Sequence, residues 1–142
     1  MLKTDNCSLP KDMMSKVPSE FHVITDPAKA ALFRCGIELF NRREFFECHE
    51  VLEEIWTPST GPERLFLQAL IHFAVGFYHH QRGNQAGAER QLRKGLKKIE
   101  GYLPEFEGVA TGKLQAAVKR RLETIERSGW VRSYPEIETT CS

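Results

Sequence analysis

The sequence predicts an all-α fold, a single compact domain of about five helices arranged as an antiparallel helical bundle. Two observations predict it. Apolar residues recur at intervals of three and four along several segments, which places them on one face of a helix. These segments are bounded by residues typical of helix ends, such as Asp26-Pro27 and Gly83-Asn84. No segment shows the strict alternation of apolar and polar residues that indicates a half-buried strand.

Proline and loop residues define the first three predicted helices. The five predicted helices cover, in chain order, about 26–41, 44–56, 62–82, 85–100 and 111–127. Asp26 is the predicted N-cap of the first helix, and Pro27 is its first residue, where a missing amide hydrogen costs nothing. The second helix ends at the loop 57–61, and Pro62 then begins the long apolar third helix.

The fourth and fifth helices also begin at identifiable residues. Gly83 suits the left-handed turn after the third helix, Asn84 can cap the fourth, and Thr111 is the predicted cap of the fifth. The spacing of Gly76 and Ala88 is similar to that of the small residues in a tetratricopeptide helix pair, so these two helices are predicted to form a tetratricopeptide-like hairpin. The predicted core consists of Leu39, Leu52, Trp56, Leu67, Leu70, Ile71, Val75, Leu92, Leu96 and Ile99.

The chain length of 142 residues predicts one domain. Residues 1–25 contain two prolines and no sustained period, which predicts a flexible N-terminal arm. Residues 26–128 form the predicted helical domain, and residues 129–142 form a C-terminal tail.

Composition excludes several classes of protein. Hydrophobic residues make up 41% and charged residues 27%, values that exclude a disordered chain and a collagen-like chain. No apolar run is long enough for a signal peptide or a membrane span, so no membrane partner is predicted. The four cysteines form no CxxC pair. We therefore predict reduced thiols and a cytoplasmic location.

Charge is segregated although the net charge is only +1. The second helix is rich in glutamate and contains no basic residue. The fourth helix places basic side chains on the face opposite its apolar one, namely Arg90, Arg93, Lys94 and Lys97. Solvated faces account for this pattern, and it also allows a homodimer in which the two helices complement each other across a two-fold axis. A nucleic-acid partner is not expected, because the sequence carries no RNA- or DNA-binding motif.

Polar residues lie on the predicted apolar faces of the second and third helices. His49 and Glu53, four residues apart, border the buried face of the second helix, and Glu50 and Trp56 lie nearby. The third helix carries one polar stripe, consisting of Arg64, Gln68, His72 and His79. Because buried polar groups need partners, His49 and Glu53 are predicted to approach Arg64, Gln68 or His72.

Three interpretations of these residues remain open. The first is an internal His/Glu/Arg network that fixes the register of the helices. The second is a divalent metal site formed by His49, Glu53 and His72, in a chain for which no other cofactor is predicted. The third is general acid–base catalysis by His49 with Glu53.

Two segments resemble a bacterial and archaeal family of unknown function, family 309 of its kind. They are the aromatic-rich FFECHEVLEEIW, residues 45–56, with an FxxHExxExxW-like motif, and the segment 61–92. The resemblance covers roughly residues 28–105. It implies a small all-helical protein without an assigned activity. The family motifs fall on His49, Glu50, Glu53, Trp56, Arg64, Gln68, Gly83, Asn84, Gly87 and Ala88.

The sequence leaves three functions open. The first is an interaction or scaffold module with a buried polar network, whose partner is a second copy, another protein or a small molecule. The second is a metal-binding protein or metal-dependent hydrolase centred on His49, Glu53 and His72. The third is a nucleic-acid accessory protein that uses the basic face of the fourth helix. No reaction is predicted.

Overall fold

The computed structural model describes residues 26–140 and contains five α-helices in that range. They are α1 (Pro27–Asn41), α2 (Phe45–Trp56), α3 (Pro62–Gln81), α4 (Gln85–Ile99) and α5 (Thr111–Glu126). A short 3₁₀ turn, Glu100–Tyr102, follows α4. Within these residues, β pairing is limited to isolated bridges near Val109. The all-α prediction is confirmed. The predicted N-terminal arm, residues 1–25, lies outside the described residues.

Two of the three predicted caps are present. The carboxylate of Asp26 accepts a hydrogen bond from the Ala28 amide, and the side chain of Asn84 accepts one from the Gly87 amide. The prediction for Thr111 is wrong. Thr111 is the first residue of α5 and is buried, and its hydroxyl donates to the carbonyl of Tyr102 at 2.5 Å. The bond ties the start of α5 to the turn after α4.

The core lies around α3, which packs against α2 on one side and α4 on the other. Six phenylalanines are completely or almost completely buried there, namely Phe33, Phe40, Phe45, Phe66, Phe73 and Phe77. Eight of the ten predicted core residues are buried, whereas Trp56 and Val75 are only partly buried and pack against the core from outside. The helices therefore face as predicted, but these two positions lie at the edge of the buried surface.

Glycines allow α3 and α4 to approach closely. A Cβ atom at Gly76 would lie 2.7 Å from the side chain of Leu92 and 3.3 Å from the carbonyl oxygen of Ala88. A Cβ atom at Gly95 would lie 2.5 Å from the ring of Phe73. The tight hairpin predicted for these two helices is thus formed by small residues at the contact.

The segment 129–140 packs across the helices. Val131 and Ile137 are buried among core residues. The side-chain Nδ2 of Asn41 donates to the backbone carbonyl of Ile137 at 3.0 Å, and the side-chain Oδ1 of Asn41 accepts from the backbone amide of Ile137 at 2.7 Å. These paired bonds connect the end of α1 to a segment that is distant in sequence.

The prediction of reduced thiols is wrong for one of the two cysteines that the structure describes. Cys48 is a free, fully buried thiol, and burial raises its pKa, so it is unreactive. Cys35 is also buried but is disulfide-bonded rather than free. As for membranes, none of the helices between residues 26 and 140 has the length and apolar character needed to cross one.

Candidate functional site

His49 and Glu53 face each other along the surface of α2. The Nδ1 of His49 donates to the carbonyl of Phe46 at 2.6 Å, which leaves Nε2 directed toward Glu53. The distance from His49 Nε2 to Glu53 Oε1 is 3.8 Å, too long for a hydrogen bond. The Glu53 side chain remains 47% exposed. The pair is therefore an ion pair only when His49 is protonated, and water screens it.

Arg64 closes the loop between α2 and α3. Its Nη1 donates to the carbonyl oxygens of Trp56, Thr57 and Ser59, at 2.9, 3.3 and 3.1 Å. Its guanidinium carbon lies 4.0 Å from the centre of the Trp56 ring. One side chain thus bonds three carbonyls at the end of α2 and in the following loop, of which the Trp56 carbonyl also accepts from the Ser59 amide, and it stacks on the last aromatic residue of that helix.

His72 lies between α3 and α4. Its Nδ1 is 2.8 Å from Oε1 of Gln91, whereas its Nε2 is buried and has no hydrogen-bond partner among residues 26–140. Burial lowers the pKa of His72, the hydrogen bond with Gln91 opposes that shift, and the positive charges of Lys98 and Lys94 add to it. His72 is therefore a neutral imidazole with one unsatisfied acceptor.

The other predicted site residues are less constrained. His79 is half-buried, and its Nδ1 lies 3.4 Å from the side-chain nitrogen Nδ2 of Asn84, the cap of α4. Gln68 and Glu50 are also half-buried and make no side-chain hydrogen bond within residues 26–140.

The predicted single network does not form in the part of the chain that the structure describes. Arg64 bonds carbonyls instead of Glu53, and His72 turns toward α4 instead of His49. The physical reason is direction: the long Arg64 side chain points back over the first turn of α3, as helical side chains do. Nor do the described residues contain any group of three or more His, Cys, Asp or Glu that could hold a metal ion. His49, Glu53 and His72 are thus not brought together as ligands.

Sequence reasoning missed His80, which is completely buried at the end of α3. Its Nδ1 donates to Oε1 of Gln85 at 2.5 Å, and its Nε2 accepts from the Val131 amide at 3.0 Å. Trp130 stacks on the ring, with the two centroids 4.1 Å apart. The apolar pattern of α3 places residue 80 on the buried side of the helix, which was the one available signal.

The surface formed by α2, α3 and α4 gathers most of these residues, and we call it the α3 face. By helical spacing and the contacts described above, we assign to it Phe46, His49, Glu53, Trp56, Arg64, Leu65, Gln68, His72, His79, Gln91, Lys94 and Lys98. Phe46 and Leu65 are large hydrophobic residues with 41% and 43% of their surface exposed. An acidic helix borders this face on one side and a basic helix on the other, with α3 between them.

Two uncharacterized bacterial proteins are similar to this chain. A relative from Bacillus subtilis, the uncharacterized protein YpuF, is 33% identical over 93 residues, which are 63% of this chain and 53% of that protein. An uncharacterized protein of Aquifex aeolicus is 24% identical over 99 residues, which are 69% of this chain and 30% of that protein. The matched region thus spans about half of one relative and a third of the other.

All eight site residues predicted from the sequence lie in the segment that matches a family model. Lys94 and Lys98 on α4 lie outside that segment, as does everything after residue 91. The resemblance predicted from the two motifs is confirmed, because residues 33–91 match DUF309, a domain of unknown function.

Proposed function

We propose that this protein is an interaction module that associates with a second copy of itself through the α3 face. The observation that carries the proposal is the charge difference across α3. Glu50 and Glu53 border the face on the α2 side, and Lys94 and Lys98 border it on the α4 side. A surface with opposite charges on its two borders is complementary to its own rotated copy.

These charges are available to a partner. Within residues 26–140, Lys94 and Lys98 form no ion pair, and neither does Glu50. Arg93 is different, since it pairs with Glu89 and with a glutamate of α5 on the other side of α4. On α4, the basic side chains next to the α3 face thus lack an ion pair among residues 26–140, whereas Arg93 on the opposite side has two.

The opposite charges also lie at the same height along α3. The rings of Phe46 and Tyr78 are in contact, with centroids 5.3 Å apart. Because α2 and α3 run antiparallel with equal rise per residue, Glu53 lies about two turns further along, level with residue 71. Gly95 lies against Phe73 and the carbonyl of residue 69, which places Lys94 near the same level.

A two-fold axis parallel to α3 then brings the two borders together. Rotation about this axis exchanges the left and right sides of the face and keeps the height along α3 unchanged. Glu53 of each copy therefore meets Lys94 of the other, and the exposed side chains of Phe46 and Leu65 become buried between them. An axis perpendicular to α3 would place glutamate on glutamate, so charge selects the parallel arrangement.

Charge reversal tests the proposal by sedimentation velocity at low salt. In a Glu53→Lys variant, the introduced lysine meets Lys94 twice in each dimer, so the dissociation constant is expected to rise at least about tenfold. Lys94→Glu should do the same by placing two glutamates together. The double variant restores opposite charges and is expected to associate as the wild type does.

The matched control is Glu54→Lys, which makes the same change of charge on an exposed residue of α2 that lies about 100° further around the helix. It should leave association unchanged. High salt is expected to weaken the wild-type dimer by screening. A wild-type chain that stays monomeric at about 100 μM in low salt contradicts the proposal, as does a double variant that associates no better than the two single ones.

The cytoplasmic location stays a prediction. The free thiol of Cys48 fits it, whereas the disulfide bond of Cys35 is typical of oxidising compartments. Alkylation of thiols in denatured whole cells, followed by mass measurement of the Cys35 peptide, distinguishes the two. An alkylated Cys35 supports a reducing compartment, and a protected one contradicts it.

A further inference from the structure

A cavity of about 410 Å³ lies between the second half of α5 and the start of the segment 129–140, away from the α3 face. Its lining combines three arginines, two hydroxyl side chains and a tryptophan, namely Arg120, Arg121, Arg132, Thr124, Ser133 and Trp130. None of the described residues that line it is acidic. The volume lies in the range of about 300–1,000 Å³ that is common for small-molecule sites. We call it the arginine cavity.

The three arginines have no carboxylate partner within residues 26–140. Arg121 is held in place because it donates to the carbonyl and hydroxyl oxygens of Ser133, at 3.0 and 3.3 Å, and to the carbonyl of Ala117. Burial lowers the pKa of Arg121, and the charge of Arg120 lowers it further. Three like charges around one cavity repel one another, and an anion bound between them removes that repulsion. Guanidinium groups bind phosphate through paired hydrogen bonds.

Trp130 adds a flat apolar surface to this cationic cavity. One face of its indole stacks on His80, with centroids 4.1 Å apart and planes inclined by 33°. Even so, 55% of the residue remains exposed. A large aromatic residue held on one side and open on the other is a stacking surface for a planar ring.

We propose that the arginine cavity binds a phosphorylated nucleoside, whose phosphate lies among the three arginines and whose base stacks on Trp130. This site is independent of the α3 face and of self-association. The same chemistry is present in a free nucleotide and in one nucleotide of a single strand. Both sources are therefore included in the test.

Isothermal titration of the full chain with adenosine monophosphate tests the site, with inorganic phosphate, adenosine and a short single-stranded oligonucleotide as parallel ligands. We expect saturable binding of one nucleotide per chain, at least about tenfold tighter than phosphate or adenosine alone, and weaker at high salt. If the oligonucleotide binds more tightly and the nucleotide displaces it, the site holds one unit of a strand. Phosphate that binds as tightly as the nucleotide contradicts the proposal, as does the absence of saturable binding by both nucleotide and oligonucleotide.

Two sets of variants connect binding to the cavity. Arg120→Gln combined with Arg132→Gln changes two exposed residues and is expected to weaken binding at least about tenfold. Arg127→Gln, an exposed arginine at the end of α5 that does not line the cavity, should leave binding unchanged. In a Trp56→Phe background, Trp130 is the one tryptophan of the chain, and the nucleotide should quench its fluorescence. Unaltered fluorescence at saturation, or equal affinity in the two arginine variants, contradicts the assignment.

Discussion

His72 and His80 lie on the same helix, eight residues apart, and have opposite environments. His80 is completely buried, and both of its ring nitrogens are hydrogen-bonded. His72 is half-buried and has one bonded nitrogen, while the other has no partner in the described part of the chain. His80 therefore has a structural role, whereas His72 has a nitrogen that a ligand or a partner can still bond. His80 joins α3 to the segment 129–140, whereas His72 keeps an unused acceptor beside the α3 face.

The difference arises from what packs over each ring. Trp130 covers His80, and the amide of Val131 supplies the donor that its second nitrogen requires. Within residues 26–140, Gln91 is the residue that bonds His72. Burial lowers the pKa of the imidazole, and the charges of Lys98 and Lys94 on α4 lower it further without a hydrogen bond. A polar residue on an apolar helix face is therefore not by itself evidence of a site, and its partners decide between the two roles.

The largest expected effect distinguishes the two histidines directly. His80→Phe keeps an aromatic ring but leaves the Val131 amide and the Gln85 side chain without their partner, so it should cost about 2–4 kcal/mol of unfolding free energy. His72→Phe removes one hydrogen bond together with an unsatisfied acceptor and should cost less than about 1 kcal/mol. Urea unfolding of both variants checks the comparison. Equal losses would show that the environments do not differ in energy.

The close approach of α3 and α4, which brings Gln91 to His72, is tested at Gly95. Alanine normally stabilises a helix relative to glycine by about 1 kcal/mol. Here the added Cβ would lie 2.5 Å from the ring of Phe73 and 3.0 Å from the carbonyl oxygen of Ala69, so Gly95→Ala should instead cost about 1–3 kcal/mol. Gly101→Ala is the control, since no described residue lies within 4 Å of the added Cβ, and it should change stability by less than about 0.5 kcal/mol. A stabilised Gly95 variant would mean that the helices can separate freely.

The fold could be predicted from the sequence because its signals are local. Proline, glycine and asparagine at helix ends and a period of three to four residues define α1 to α4 within a residue or two. The prediction for Thr111 is wrong because a threonine before a helix pattern is equally compatible with the first helical position. No local sequence pattern predicts how the segment 129–140 packs. It depends on contacts of Asn41 with Ile137 and of His80 with Val131, which join residues far apart in the chain.

The candidate site could be predicted only in part. The unusual residue types of α2 and α3 are visible in the sequence, but the structure gives them separate partners, with Arg64 on the loop after α2 and His72 between α3 and α4. Their partners are not visible in the sequence, because Gln91 and the carbonyls of the loop after Trp56 carry no distinctive pattern. The exposure of Phe46 is likewise hidden, since an aromatic residue in a helical pattern is expected to be buried.

Arg64 lies on the α3 face, but its contacts stabilise the loop between α2 and α3. Arg64→Lys keeps the charge but loses the planar guanidinium that stacks on Trp56 and moves the nitrogen that now bonds three carbonyls, so it should cost about 1–2 kcal/mol. Thermal unfolding measures this loss. Arg82→Lys is the control, because Arg82 is exposed and its guanidinium lies 5.8 Å from the Tyr78 ring. Equal shifts in the two variants would argue against a specific role of the carbonyl contacts.

The smallest expected effect concerns the pH dependence of His72. Its pKa in the folded chain is lowered from the ordinary value of 6.5 by burial, and the charges of Lys98 and Lys94 add to that shift. The unfolded chain therefore binds a proton at a higher pH than the folded chain does. Stability is fully present above about pH 6.5 and falls as the pH drops toward the lowered pKa, because protons are taken up on unfolding.

His72→Gln removes this contribution and preserves a polar side chain beside Gln91. The slope of unfolding free energy against pH between about 6.5 and 5 should therefore be shallower in the variant than in the wild type. His79→Gln is the matched control, since it removes another histidine of the α3 face and keeps the half-buried imidazole of His72. If His72→Gln leaves the slope unchanged, the assignment to His72 is wrong, and its imidazole takes up a proton in the folded chain as readily as in the unfolded one.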